Sequence, residues 1–341
     1  RYGLLTASRG ALALVAALIF VQAGLGGIGA VFGAAVASLV SMIFFGAHCL
    51  ANTRHNNSNL RRQMVAYGLP LTLTYLAIMV LDVSDRFMIA WWMGPSAVAG
   101  YAASYDLTQQ TVGVALNVFF LASYPRITVA WEAGGVQAAR QAMVPLSHAM
   151  LLVAPLVAGL FIGLADDITQ LVLGSAVQPD AARVMPWVAF AIVIGCLKSY
   201  FLDIAFQLAK VTHMQLRITV MMAVLNVALN IVLIPKFGVV GAAMSTAAAF
   251  SSGAVLSWWF GRRLGIYSAR KRDVMSMTLA FLAIVLSIQL VPTSAYSGLA
   301  DVILRLLAGL AGYVVAVMVT NLAGVRLGLM DKLNATIRKG A

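Results

Sequence analysis

Long apolar runs alternate with short polar connections along almost the whole chain, and the runs are too long for strands or for the helices of a small soluble core. Ten segments read as membrane helices: about 6–23, 28–50, 66–93, 97–124, 141–164, 181–208, 214–234, 239–260, 274–290 and 300–322. Turn signals separate them: Gly24-Leu25-Gly26-Gly27, Gly94-Pro95-Ser96 and Pro235-Lys236-Phe237-Gly238, with Pro125 expected to stop the fourth helix. Pro145 lies near the start of the fifth helix and Pro155 is expected to kink its middle. The expected fold class is an all-α integral membrane protein of about ten transmembrane helices.

Composition sharpens this. Of 341 residues, 62% are hydrophobic and 10% charged, with a mean hydropathy of +0.92, more apolar surface than one soluble core can hide. The net charge of +12 would point to nucleic acid in a soluble protein. Here the cations fall in every second connection: Arg54, Arg61 and Arg62; Arg126 and Arg140; Lys210; Arg262 through Arg272; and the tail with Arg326, Lys332, Arg338 and Lys339. The alternate connections hold only Lys236 as a cation, and one carries Asp166, Asp167 and Asp180. That alternation orients ten helices with both termini cytoplasmic and excludes a nucleic-acid partner. Short outer connections leave no room for an extracytoplasmic domain. Cys49 and Cys196 lie in apolar runs and lack metal spacing, and His48, His55, His148 and His213 are scattered, so no metal or cofactor is expected.

The third segment is the exception to apolar monotony. Asp82, Asp85 and Arg86 sit inside 66–93, and each charge at a helix centre costs roughly 2.5–3.5 kcal/mol on insertion scales. They need partners, water or a purpose.

An internal repeat organises the rest. Gly26, Gly29 and Ala30 correspond to Gly238, Gly241 and Ala242, and each set opens a small-residue helix ending in Phe44-Phe45-Gly46 or Trp259-Phe260-Gly261. The two pairs are six helices apart, an even number, so the repeat is parallel. The expected division is: 1–50, the last two helices of an incomplete N-terminal lobe; 51–65, a cytoplasmic loop; 66–262, a complete six-helix lobe. Then follow 263–273, a basic cytoplasmic loop; 274–323, two additional helices; and 324–341, a cytoplasmic tail.

Tyr67-Gly68-Leu69-Pro70, Asp85-Arg86, Gly94, then Gly100-Tyr101 and Tyr105, followed by Ile234-Pro235-Lys236-Phe237-Gly238-Val239-Val240-Gly241-Ala242-Ala243, form a pattern. It resembles the polysaccharide-exporter and O-antigen flippase branch of the multidrug/oligosaccharidyl-lipid/polysaccharide flippase superfamily. On that resemblance the ten helices are the family's helices 5 to 14, and the chain, which begins at Arg1, is N-terminally truncated. The resemblance implies a transporter rather than an enzyme. Its task would be flipping of an undecaprenyl-diphosphate-linked oligosaccharide, for O-antigen or exopolysaccharide synthesis, across the bacterial inner membrane by alternating access. Implied partners are membrane lipids, the lipid-linked substrate, a coupling proton or sodium ion, and other polysaccharide-assembly proteins. The alternative is a MATE-like antiporter of cationic drugs or metabolites. A glycan polymerase or ligase would want a catalytic Arg or His cluster in a sizeable outer loop, which the sequence lacks.

Such a substrate needs cations for its diphosphate and hydrogen-bonding and aromatic groups for its sugars. Candidate substrate-binding residues are Arg86, Lys198, Tyr101, Tyr105 and Gln109, the last three sharing one helical face. Ion-coupling candidates are Asp82, Asp85 and Asp106. Other readings stand beside these: Asp82 and Arg86, at i,i+4, can neutralise each other, and the tyrosines can be interfacial anchors. Lys198 and Asp203, five apart, lie on different faces of a regular helix and so are not expected to pair. Asn226 and Asn230 read as interhelical glue, and Asp301 with Arg305 as a local pair.

Overall fold

The structure, a computed structural model, describes residues 2–52, 58–267, 271–292 and 298–327. Arg54, His55, Arg270 and the tail with Lys332, Arg338 and Lys339 lie outside the described residues, as do the side chains of His48 and Cys49. All described regular structure is helical. The chain divides into two compact units, Arg1–Val65 and Ala66–Ala341.

In the first unit, α1 (Tyr2–Phe20) and α2 (Gly26–Asn52) pack against each other. Close approach is what holds them. A Cβ at Gly33 would lie 2.3 Å from the Ala17 nitrogen, so only glycine lets the two backbones meet there. Phe20 and Phe32 close the contact edge to face, with ring centroids 5.7 Å apart.

In the second unit the elements are α3 (Ser58–Met93), α4 (Pro95–Thr108), α5 (Val114–Ala142), α6 (Val144–Gly163), α7 (Ala165–Val172) and α8 (Gln178–Leu197). They are followed by α9 (Ile204–Leu208), α10 (Thr212–Phe237), α11 (Val239–Gly261), α12 (Lys271–Gln289) and α13 (Leu299–Thr320). The stretch containing α8 is the most buried of the membrane-length helices, and α8 packs on α4, α6 and α11. Its small and branched residues Val184, Val188, Ala189 and Ile192 fill the centre of the unit. α12 pairs with α13 and lies along α6, where Ile284 and Ile288 fill the space over Gly159 and Gly163.

Among the described residues, seven helical stretches are long and apolar enough to span a membrane, and Gly10–Leu25 and Val31–Ile43 are shorter apolar helices. One of the seven, Pro95–Gly163, would run about 100 Å as a single helix against a hydrocarbon core of about 30 Å. It contains two crossings, and each of the ten expected segments thus has a helix.

One expectation about proline is corrected. Pro125 does not stop its helix; α5 runs through it and is interrupted at Gly134 and Gly135 instead. A membrane helix packed among neighbours tolerates one lost backbone hydrogen bond, whereas Gly135, at φ 62° and ψ −147°, takes a conformation that a side chain would oppose. Pro155 lies inside α6, as expected from the sequence.

The two turns singled out by the repeat have the same conformation: Gly26 at φ 50°, ψ −137° and Gly238 at φ 63°, ψ −141°. Three residues beyond each, Gly29 and Gly241 lie against the backbone of the preceding helix, at Phe20 and Leu233 respectively.

Candidate functional site

The turn at Gly94 sends α4 back along α3, which sets residues of the two helices opposite each other in antiparallel order. Tyr101, fully buried, donates its hydroxyl to Asp85 Oδ2 at 2.6 Å. One turn on, Tyr105 donates to Asp82 Oδ1 at 2.8 Å. Arg86 reaches Asp106 Oδ1 at 2.5 Å and lies over the Tyr105 ring, 5.8 Å from its centroid. The i,i+4 pairing of Asp82 with Arg86 is therefore not the one adopted: Asp106 takes the guanidinium, and Asp82 takes a phenol.

Asp85 is the centre of a buried network. Besides Tyr101, Thr246 Oγ1 on α11 donates to Oδ2 at 2.5 Å, and Asn230 Nδ2 on α10 donates to Oδ1 at 2.5 Å. Asn226 joins by accepting from Asn230 at 3.1 Å and donating to Thr246 at 3.3 Å. Asp85, Tyr101, Asn226, Asn230 and Thr246 are all buried, so four helices are tied together around one carboxyl. Asn230 Oδ1 has no partner among the described residues. The asparagines do bridge helices, as the sequence reading held: Asn230 through Asp85 on α3, and Asn226 through Thr246 on α11.

Beside this network lies a cavity of about 210 Å³. Asp82, Tyr105 and Gln109 line it from α3, α4 and the π-turn Gln109–Gly113 that follows α4. Opposite them are Ser199 and Tyr200, and Gln207 and Gln215 close one side, their amides 3.5 Å apart. Tyr75 and Phe120 supply aromatic walls, with Phe120 stacked on Tyr200 at 5.1 Å between centroids. Cys196, a buried thiol, also faces it. Arg86, Lys198, Tyr101, Asp85 and Asp106 are not among its lining residues.

Lys198 is buried in an ion pair, its Nζ 2.7 Å from Asp203 Oδ2, and Ser257 on α11 donates to Asp203 Oδ1 at 2.8 Å. The expectation that these two residues point apart fails because the chain is not α-helical there. Lys198–Leu202 is a π-turn in which the Asp203 N–H bonds the Lys198 carbonyl at 2.8 Å, an i to i+5 step that puts both side chains on one side. The same turn aims Ser199 and Tyr200 at the cavity. Asp301 is likewise a lesser partner of Arg305, at 3.8 Å, than Asp167, at 3.0 Å. No group of three or more His, Cys, Asp or Glu side chains that could hold a metal occurs among the described residues.

Thr246, Gln207, Gln215 and Ser257 went unremarked in the sequence. Their signal was modest: single neutral polar residues within apolar runs, which small-residue helices also use for packing.

The helices and the polar interior define a multi-pass membrane protein built around an intramembrane polar site. Two family models overlap along it: one described as "Polysaccharide biosynthesis protein" matches residues 1–131, and one described as "MatE" matches residues 70–232. The fold is similar to that of the lipid II flippase MurJ in an inward closed conformation, with a TM-score of 0.65 and 13% identity over 91% of this chain and 66% of that one. An uncharacterized membrane protein of Methanocaldococcus jannaschii is 22% identical over 207 residues, 60% of this chain and 40% of that protein. The chain thus spans less than two thirds of the length of either relative.

Proposed function

We propose that this protein flips a lipid-linked oligosaccharide, carried on undecaprenyl diphosphate, across the bacterial inner membrane for polysaccharide assembly. The observation that carries the reading is the cavity inside the membrane-spanning helices, walled by amides, hydroxyls and aromatic rings. Such groups exchange hydrogen bonds with sugar hydroxyls and stack on sugar faces, and lipid alone would leave them unsatisfied. The match to the polysaccharide-biosynthesis family supports the same cargo.

In this reading Asp82, Tyr105 and Gln109 contact the sugar, and Asp85 serves ion coupling by proton or sodium. Asp85 has three neutral hydrogen-bond donors and no cation within its network, so a small cation could neutralise it. Arg86 and Lys198 then shape the walls through Asp106 and Asp203. Residues 66–262 form a six-helix lobe, 1–50 the end of another, and 274–323 two added helices; both termini face the cytoplasm.

The MatE match, which covers Asp82 and Asp85, favours a second reading: an antiporter of organic cations. Proteoliposomes holding the full-length protein separate the two. Translocation of fluorescent lipid-linked oligosaccharide supports the flippase. Ion-driven uptake of an organic cation without glycolipid movement supports the antiporter.

A further inference from the structure

The proposed cargo has an anionic part, the diphosphate, and a glycan whose charge varies. The cavity distinguishes them. Among its lining residues Asp82 is the only Asp, Glu, Lys, Arg or His. Two cations close in sequence to its lining residues are ion-paired outside the lining: Arg86 with Asp106, over the edge of the site at the Tyr105 ring, and Lys198 with Asp203 in a fully buried pair. Asp82 keeps one carboxyl oxygen for the cavity, since Tyr105 occupies only Oδ1 and no other described side chain donates to it. Whatever its protonation state, it adds no positive charge.

Size points the same way. At about 210 Å³ the cavity falls below the roughly 300–1,000 Å³ that enclose drug-sized ligands, a volume that suits one sugar ring of a longer glycan. The stacked Phe120 and Tyr200 offer an apolar face, and Gln109, Gln207 and Gln215 offer both donors and acceptors.

We infer that the cavity is a monosaccharide subsite selective for neutral or amine-bearing sugars, which excludes uronic and other acidic sugars and leaves the diphosphate outside. This rests on the flippase reading for its cargo, but its content is the charge rule. An acidic sugar would meet a carboxyl and no lining cation, whereas an amine would find Asp82.

The test uses the full-length protein in nanodiscs and three undecaprenyl-diphosphate disaccharides, identical except that one sugar carries a hydroxymethyl, an aminomethyl or a carboxylate group. Binding of the neutral and amino forms should exceed that of the acidic form by at least about tenfold. Asp82→Asn should remove the preference for the amine over the neutral sugar. Gln207→Lys, which leaves Asp82 in place, should raise affinity for the acidic form several-fold. Equal or tighter binding of the acidic form by the unaltered protein overturns the inference, and so does an Asp82→Asn variant, folded by its thermal transition, whose ranking is unchanged. Charge-ranked binding without translocation in vesicles overturns the flippase reading alone. Binding of none of the three overturns both.

Discussion

Tyr101 and Asp85, sixteen positions apart on opposite arms of a helical hairpin and both buried, share a 2.6 Å hydrogen bond. The bond exists because Gly94, at φ 89°, reverses the chain so that α4 descends along the charged face of α3. It makes Asp85 an organiser of four helices as well as an ion-coupling candidate. Asp85→Ala strands the donors of Tyr101, Thr246 and Asn230, each at about 1–3 kcal/mol, and should lower the thermal transition in detergent markedly. Asp85→Asn keeps one acceptor oxygen, which can serve both Tyr101 and Thr246, and should fold while losing any dependence of transport on proton or sodium gradients.

The Lys198–Asp203 pair should show the asymmetry of buried charges. Lys198→Met alone leaves a carboxylate without its cation and should destabilise by roughly 3–5 kcal/mol. Adding Asp203→Leu should recover most of that loss. A double-mutant cycle read by chemical or thermal unfolding gives the coupling, and independent, additive losses would contradict the pairing.

Arg86 and Asp106 differ, since 32% and 59% of their side chains are accessible. Either single charge reversal, Arg86→Asp or Asp106→Arg, should impair the protein more than the swap of both. Restored thermal stability in the double variant is the expected result.

The two matching glycine turns carry a backbone prediction. Gly238→Ala places a Cβ at φ 63° and ψ −141°, a region that costs roughly 1–3 kcal/mol for residues other than glycine. Gly26→Ala should behave alike, because its dihedrals nearly coincide. Gly68, inside α3 with open space around its Cβ position, should accept alanine without loss.

Much of the fold was legible because membrane helices announce themselves by length and apolarity, and because Gly24, Gly94 and Gly238 mark the reversals. Helix interiors were harder. Pro125 was read as a stop, yet the break came at Gly134–Gly135, where a positive φ rather than a missing N–H decides. For the site, the sequence singled out Arg86, Lys198, Tyr101, Tyr105, Gln109, Asp82, Asp85 and Asp106, and of these Asp82, Tyr105 and Gln109 line the cavity. It could not tell which charges would meet. Ideal helical spacing joined Asp82 to Arg86 and separated Lys198 from Asp203; an interhelical contact reversed the first and a π-turn the second. Gln207 and Gln215 were invisible as a pair, because their meeting depends on how α9 turns into α10.

The central claim is that the polar cavity of the second unit handles sugar during translocation. It is tested most directly by the rate at which the full-length protein, in proteoliposomes, moves a neutral undecaprenyl-diphosphate oligosaccharide between leaflets, compared with Gln109→Leu and Gln215→Leu variants. These remove hydrogen-bonding groups from the cavity wall while leaving the Asp85 network and the Lys198–Asp203 pair intact. The account predicts glycolipid translocation by the unaltered protein and at least a tenfold loss (~1.4 kcal/mol) in both variants at unchanged thermal stability. Translocation that proceeds equally well with the cavity wall made apolar would contradict it.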